Sequence, residues 1–332
     1  MYFKSRSAKK YEVFISHLQI DRLRSFFCLF RGAATLPLLA FCLILTGCDR
    51  NQTATNPTDK LQIMVSIAPQ KYFVERIGDD RVTVNLMVPP GSEPHTFEPK
   101  PEQLKAISRA SAYMRIGIDF EDAWMGKIAA ANPKMSIVDT TQGIERIPMQ
   151  ISEEEGDTTK HGEAGENLDP HIWLSPQLVK IQAKTIYDEL SKLDVKHQEA
   201  YRKNLELFLA DIDRLDAGIR KSLQGIKNRK IIVFHPSWGY FARDYQLEQI
   251  PIEVGGQEPS AAELGALVSK MKQEKIKIIF AEPQFSQQTA DTIAKEIGGE
   301  VLLVDPLSPD WLNNLRDISN TFAKVLNDKP EA

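Results

Sequence analysis

Cysteine is nearly missing from this chain: three residues in 332, Cys28, Cys42 and Cys48, all near the amino terminus. Nothing after Cys48 can form a disulfide or a thiolate metal site, so any metal held by the body of the chain must use histidine and carboxylate. Long hydrophobic runs are missing as well. The run from Ala34 to Leu45 holds about a dozen residues, short of the ~20 that a bilayer-spanning helix needs. A Gly-x-x-x-x-Gly-Lys-Ser/Thr phosphate loop is absent, so ATP hydrolysis would have to come from another subunit, and the His-Glu-x-x-His pattern of zinc proteases is absent too. An excess of positive charge is also lacking. From Cys48 onward 34 Lys and Arg face 43 Asp and Glu, the wrong balance for a nucleic-acid partner. What remains is 42% apolar and 26% charged, an ordinary globular composition, over a length that predicts two domains.

The amino-terminal 47 residues carry seven Lys and Arg against two acids and end in the apolar run followed by Leu45-Thr46-Gly47-Cys48. A basic region, a short apolar core and small residues before a cut are the parts of a secretory signal. The Leu-Thr-Gly-Cys ending resembles the bacterial lipobox, which implies that residues 1–47 are removed and that Cys48 is diacylated and becomes the membrane anchor. The competing reading is a free cysteine in an uncleaved membrane helix. The basic region is long for a signal, which fits a translation start further downstream. Polar residues 48–60 would then form a flexible tether. Asp49, directly after Cys48, resembles an inner-membrane retention signal of two-membrane bacteria.

From Leu61 the chain alternates β-branched runs with amphipathic stretches, the pattern of βαβ units around parallel sheets. Strands are predicted at 61–67, 82–88, 112–117 and 135–139, and again at 230–234, 249–253, 277–281 and 301–305. The expected architecture is α/β, with two small lobes of about four strands each, spanning 61–193 and 229–332. Between them, residues 194–228 place Tyr201, Leu205, Phe208, Ile212, Leu215 and Ile219 at spacings of three and four, one apolar face of a helix, with Asp194 as its expected N-cap. One long helix is a stiff connector, so little lobe displacement on ligand binding is expected. Residues 151–169, rich in Glu around the lone His161, read as a solvated acidic loop.

Three histidines stand at strand-to-helix junctions, where open α/β sheets build their sites: His95 in Pro-Gly-Ser-Glu-Pro-His-Thr-Phe-Glu-Pro, His171 in Asp-Pro-His-Ile-Trp-Leu-Ser-Pro and His235 in Phe-His-Pro-Ser-Trp-Gly-Tyr-Phe. Each taken alone could cap a helix or satisfy a buried backbone group. With Glu258-Pro-Ser and Ala281-Glu-Pro-Gln-Phe-Ser, these stretches resemble the metal-binding receptors of bacterial ABC importers, the zinc-uptake or cluster A-I solute-binding proteins, over Leu61 to about Val325.

The resemblance implies metal ligands at His95, His171, His235 and, by alignment of a carboxylate, Asp305. It also implies a permease and a separate ATPase as partners, and a monomeric receptor. Three imidazoles favour Zn²⁺ over Mn²⁺, which prefers oxygen-rich sites, so manganese stands as the alternative cargo. Glu282 is open between a group that orients a histidine, an alternative ligand and a structural residue. Glu98, three residues after His95, is a formal candidate for a general base, and His197 is expected on the first turn of the connecting helix, facing solvent. No catalytic role is expected. A secreted metallohydrolase using the same histidines and a cell-surface adhesin are the rival readings. Unlike many zinc members, the loop before His171 is acidic and lacks a histidine run, so metal capture by it is not expected.

Overall fold

The computed structural model describes residues 60–150, 168–254 and 257–327. The predicted leader, Cys48, nearly all of the tether and the acidic stretch 151–167 lie outside the described residues. No helix among the described residues is long and apolar enough to cross a membrane.

Two four-stranded sheets, wholly parallel, carry the fold. The first orders β1 (Leu61–Val65), β2 (Val82–Leu86), β3 (Ala112–Arg115) and β4 (Ser136–Asp139) as β2-β1-β3-β4. The second repeats the winding with β5 (Lys230–Val233), β6 (Glu248–Pro251), β7 (Ile278–Ala281) and β8 (Glu300–Leu303) as β6-β5-β7-β8. Every predicted strand forms. Most stop a little earlier than predicted at the carboxyl end, and the residues that follow β2 and β5 lead into the loops that hold His95 and His235.

Alternation along β5 divides the second lobe. Ile231 and Val233 point into a core shared with the first lobe and the central helices, whereas Ile232 and Phe234 point the other way, onto a smaller cluster with Met271, Ile279, Ala281 and Ile293. Among the described residues the first lobe has no such private cluster.

The connector begins with a single 3-10 turn, Val195–His197, and continues as α5 (Gln198–Ser222), 25 residues and about 37 Å long. Its predicted apolar face is the buried one. Asp194 stands at the expected N-cap position of that turn, with its side chain directed to other side chains and not to a backbone N–H: Oδ2 accepts from His197 Nδ1 at 2.6 Å and Tyr201 OH at 2.9 Å. His197 is therefore tied back and half-buried instead of facing solvent.

α5 packs against α1 (Ala68–Gly78), α4 (Pro176–Leu193) and α9 (Trp311–Asn327), so it is the middle of a helical layer that both lobes share. Phe73 of α1, Phe208 of α5 and Trp311 of α9 meet with ring centroids 5.1–6.3 Å apart, each pair adding roughly 0.5–1.5 kcal/mol beyond its buried area. Two indoles clasp the lobes nearer the site: Trp173 Nε1 donates to the Pro306 carbonyl at 2.8 Å, and Trp311 Nε1 donates to the Trp173 carbonyl at 2.7 Å.

Candidate metal centre

His95 follows β2 on an irregular loop rich in proline. Glu93 shapes that loop, its two carboxylate oxygens accepting from the backbone N–H groups of His95 (2.6 Å) and Thr96 (2.7 Å). His171 opens a 3-10 turn, Ile172–Leu174, ahead of α4, and His235 directly follows the end of β5 and Phe234. The three are far apart in sequence. In space each offers a ring nitrogen within 4.8 Å of the other two, and their ring centroids form a nearly equilateral triangle of 5.2–5.5 Å.

Each imidazole has a carboxylate behind it. His95 Nδ1 bonds Asp119 Oδ2 at 3.1 Å, His171 Nδ1 bonds Asp169 Oδ1 at 2.7 Å, and His235 Nδ1 bonds Glu253 Oε2 at 2.7 Å. An ionised carboxylate only accepts, so Nδ1 carries the proton and a neutral ring presents a bare lone pair at Nε2. The Nε2 atoms of His171 and His235 lie 3.3 Å apart. Two bare lone pairs at that distance repel unless a cation lies between them. For Zn–N bonds of 2.0–2.1 Å, neighbouring nitrogens of a tetrahedral site lie about 3.3–3.4 Å apart. The donor set therefore fits zinc in both chemistry and spacing.

Depth separates the three pairs. His171 and Asp169 are 3% and 1% exposed, and His235 and Glu253 are equally hidden, whereas His95 lies at the rim and Asp119 is 73% exposed. Burial pushes His171 down to about 4, although Asp169 pulls the other way, so the ring is neutral at physiological pH. Burial would also lower His95. There the Asp119 hydrogen bond and the charges of Asp119, Glu93 and Glu253 outweigh it and hold the ring above its ordinary range. A small pocket lies over the three rings, walled by Pro94, Trp173, Phe285 and Leu307.

Asp305 is not part of the converging group. It follows the end of β8, beside Pro306 and Leu307 of the pocket wall, and its Oδ1 accepts from Gln284 Nε2 at 2.7 Å and from the Leu307 N–H at 2.9 Å. Glu282 is completely buried beneath His235, where Oε2 accepts the His235 backbone N–H at 3.3 Å and Oε1 accepts the Ser237 hydroxyl at 3.2 Å. Burial holds its carboxyl up to about 8. Glu98 is exposed, away from the three rings.

Sequence reasoning gave no role to Asp119, Asp169 or Glu253. Asp169 was within reach: two residues before His171, its Oδ1 also accepts the His171 backbone N–H at 2.8 Å, a local turn that Asp-Pro-His spacing permits. Asp119 is fixed by another buried acid. Glu121, on the first turn of α3 (Asp119–Ala131), takes the backbone N–H groups of Ile116 (3.0 Å) and Gly117 (2.7 Å) and so anchors the helix end that presents Asp119.

Histidine donors at the carboxyl ends of two parallel sheets, meeting across the seam between lobes, define a metal-type solute-binding receptor. Comparison with known proteins narrows the class. The family model described as zinc-uptake complex component A, periplasmic, matches residues 63–325, and the chain belongs to that family. It is 32% identical to the high-affinity zinc uptake system protein ZnuA of Bacillus subtilis, over 84% of this chain and 90% of that protein. The zinc-binding lipoprotein AdcA of Streptococcus pneumoniae is 29% identical over 82% of this chain, which spans 55% of that longer protein. A ZnuA crystal structure, 47% identical, superposes with a TM-score of 0.75 over 81% of this chain and 100% of that one.

Proposed function

We propose that this chain is the exported receptor of a zinc importer, capturing one Zn²⁺ through Nε2 of His95, His171 and His235 and delivering it to an ABC permease driven by a separate ATPase. The observation that carries the reading is the 3.3 Å approach of two imidazole nitrogens whose protons are both directed away, toward carboxylates. Carboxylates behind metal-bound histidines raise ligand basicity and fix ring orientation. Asp305 would complete the sphere by turning from Gln284 toward the rings, leaving four protein ligands and no open position for a reacting water. Zinc is preferred over manganese because imidazole nitrogen dominates the donor set.

Residues 1–47 would be the leader, Cys48 the lipid anchor and 48–60 the tether. The acidic stretch from Glu153 to Glu166 would lie outside the binding site. A single preparation tests both halves of the reading. Protein purified without added metal should carry about one zinc per chain by elemental analysis, and competition titrations should rank zinc above manganese. Tighter binding of manganese would overturn the assignment. Cys48→Ser should release the protein from membranes, and retention with an uncut amino terminus would refute the anchor.

A further inference from the structure

We propose that Gly239 and Tyr240 of the second lobe are positioning residues for His171, acting through Asp169. The proposal rests on the three-histidine zinc reading and extends it to residues that touch neither the metal nor any imidazole. Both belong to the Phe-His-Pro-Ser-Trp-Gly-Tyr-Phe stretch, of which only His235 has so far been given a task.

The starting point is the uneven use of the Asp169 carboxylate. Oδ1 accepts both the backbone N–H and Nδ1–H of His171, at 2.8 and 2.7 Å. Oδ2 is buried and has no hydrogen-bond partner among the described residues. Packing therefore sets the position of Oδ2. The packing surface is Gly239, the first residue of α6 (Gly239–Tyr245): a Cβ built there would lie 2.5 Å from Asp169 Oδ2. Real side chains do not approach that closely, so any residue but glycine would drive the carboxylate away. Gly239 has no positive φ that would require glycine. Space for Asp169 is the remaining reason.

Tyr240 holds the same residue from its main chain. Its buried hydroxyl donates to the Asp169 carbonyl at 2.8 Å and accepts the Ile147 N–H at 3.2 Å. Asp169 N–H in turn bonds the Ile147 carbonyl at 2.9 Å. With Pro170 restricting the backbone between Asp169 and His171, a shift at Asp169 turns the His171 ring. The first lobe thus supplies the imidazole and its carboxylate, and the second lobe supplies the wall that aims them.

The test compares zinc affinity, by competition with a chromophoric chelator, with the Co²⁺ absorption spectrum as a reporter of coordination geometry. Gly239→Ala should weaken zinc about 10–100-fold, the usual cost of disturbing a residue that orients a metal ligand, and should change the Co²⁺ spectrum. Gly218→Ala, at an exposed α5 position with nothing within 4 Å, should leave both unchanged. Tyr240→Phe should weaken zinc in the same direction by a smaller factor. In an Asp169→Ala background, Gly239→Ala should cause no further loss, since its route to His171 is gone. Wild-type affinity and spectrum in Gly239→Ala, or an undiminished loss in the Asp169→Ala background, would overturn the proposal. If Gly239→Ala does not fold, unchanged affinity and spectrum in Tyr240→Phe would do so. His171→Ala separates the two levels: zinc affinity surviving that change sinks the three-histidine reading itself.

Discussion

The same imidazole–carboxylate unit occurs three times at the site, at two depths. His171 with Asp169 and His235 with Glu253 lie at the bottom, hidden from solvent, while His95 with Asp119 stands at the rim. Hydrogen bonding to the first lobe's own turn, the stacked ring of Phe285 over His235 at 4.7 Å and the tilt of Trp173 against His171 leave the deep rings no freedom. The rim ring has solvent on one side and a carboxylate partner that water also reaches. Identical chemistry therefore does two jobs. On the zinc reading, depth would supply affinity and selectivity, and exposure a way in and out for the ion.

The sharpest way to break this division is at its deepest member. Structural zinc sites are worth about 10–16 kcal/mol, so losing one of four ligands costs roughly 3 kcal/mol, on the order of a hundredfold in affinity. His171→Ala should show at least that loss by competition titration. Acidification probes the rim next. His95 sits above its ordinary pKa, so falling pH protonates it first, and each proton bound must leave before zinc can coordinate. Affinity should therefore drop about tenfold per pH unit below that pKa, while His171, held down to about 4, takes no part until far more acid conditions. His95→Ala should cost about tenfold at neutral pH, because water can take the vacated position, and should flatten the acid slope. A slope that persists in His95→Ala would place the titrating group at the bottom of the site instead. Asp119→Asn should have the smallest effect, a factor of a few, since an exposed pair contributes about 0.2–1 kcal/mol. A loss as large as that of Asp169→Asn would erase the distinction between rim and floor.

Much of this architecture was legible before any coordinates. Parallel strands covered on both faces read as β-branched runs, and the connector's apolar stripe survived because nothing in tertiary context opposes a helix packed on three neighbours. The histidines stood out as a set only through the resemblance of the stretches around them to a known family, since each taken alone could cap a helix or satisfy a buried backbone group. Their carboxylates were harder to find. Asp119 lies 24 residues from His95 as an ordinary acid at a helix start, and Glu253 lies 18 from His235, so only the fold pairs them. Asp194 was half legible for a related reason. It takes the N-cap position as expected, yet its Oδ2 goes to His197 and Tyr201 and not to a backbone N–H, a choice made by side chains three and seven residues along. The contact between Gly239 and Asp169 had no local signature at all.

The aromatic knot of α1, α5 and α9 bears on how such a chain matures. Tyr72 and Phe73 lie far ahead of Trp311 in the chain and are synthesised long before it. Until α9 follows, Phe73 and Phe208 lack the Trp311 ring, and Trp173 lacks both the carbonyl its indole donates to and the indole its own carbonyl receives. Contacts so distant in sequence form slowly. The last helix thus completes the core that the first lobe shares, so the shape around the three histidines closes only once nearly the whole chain has been made.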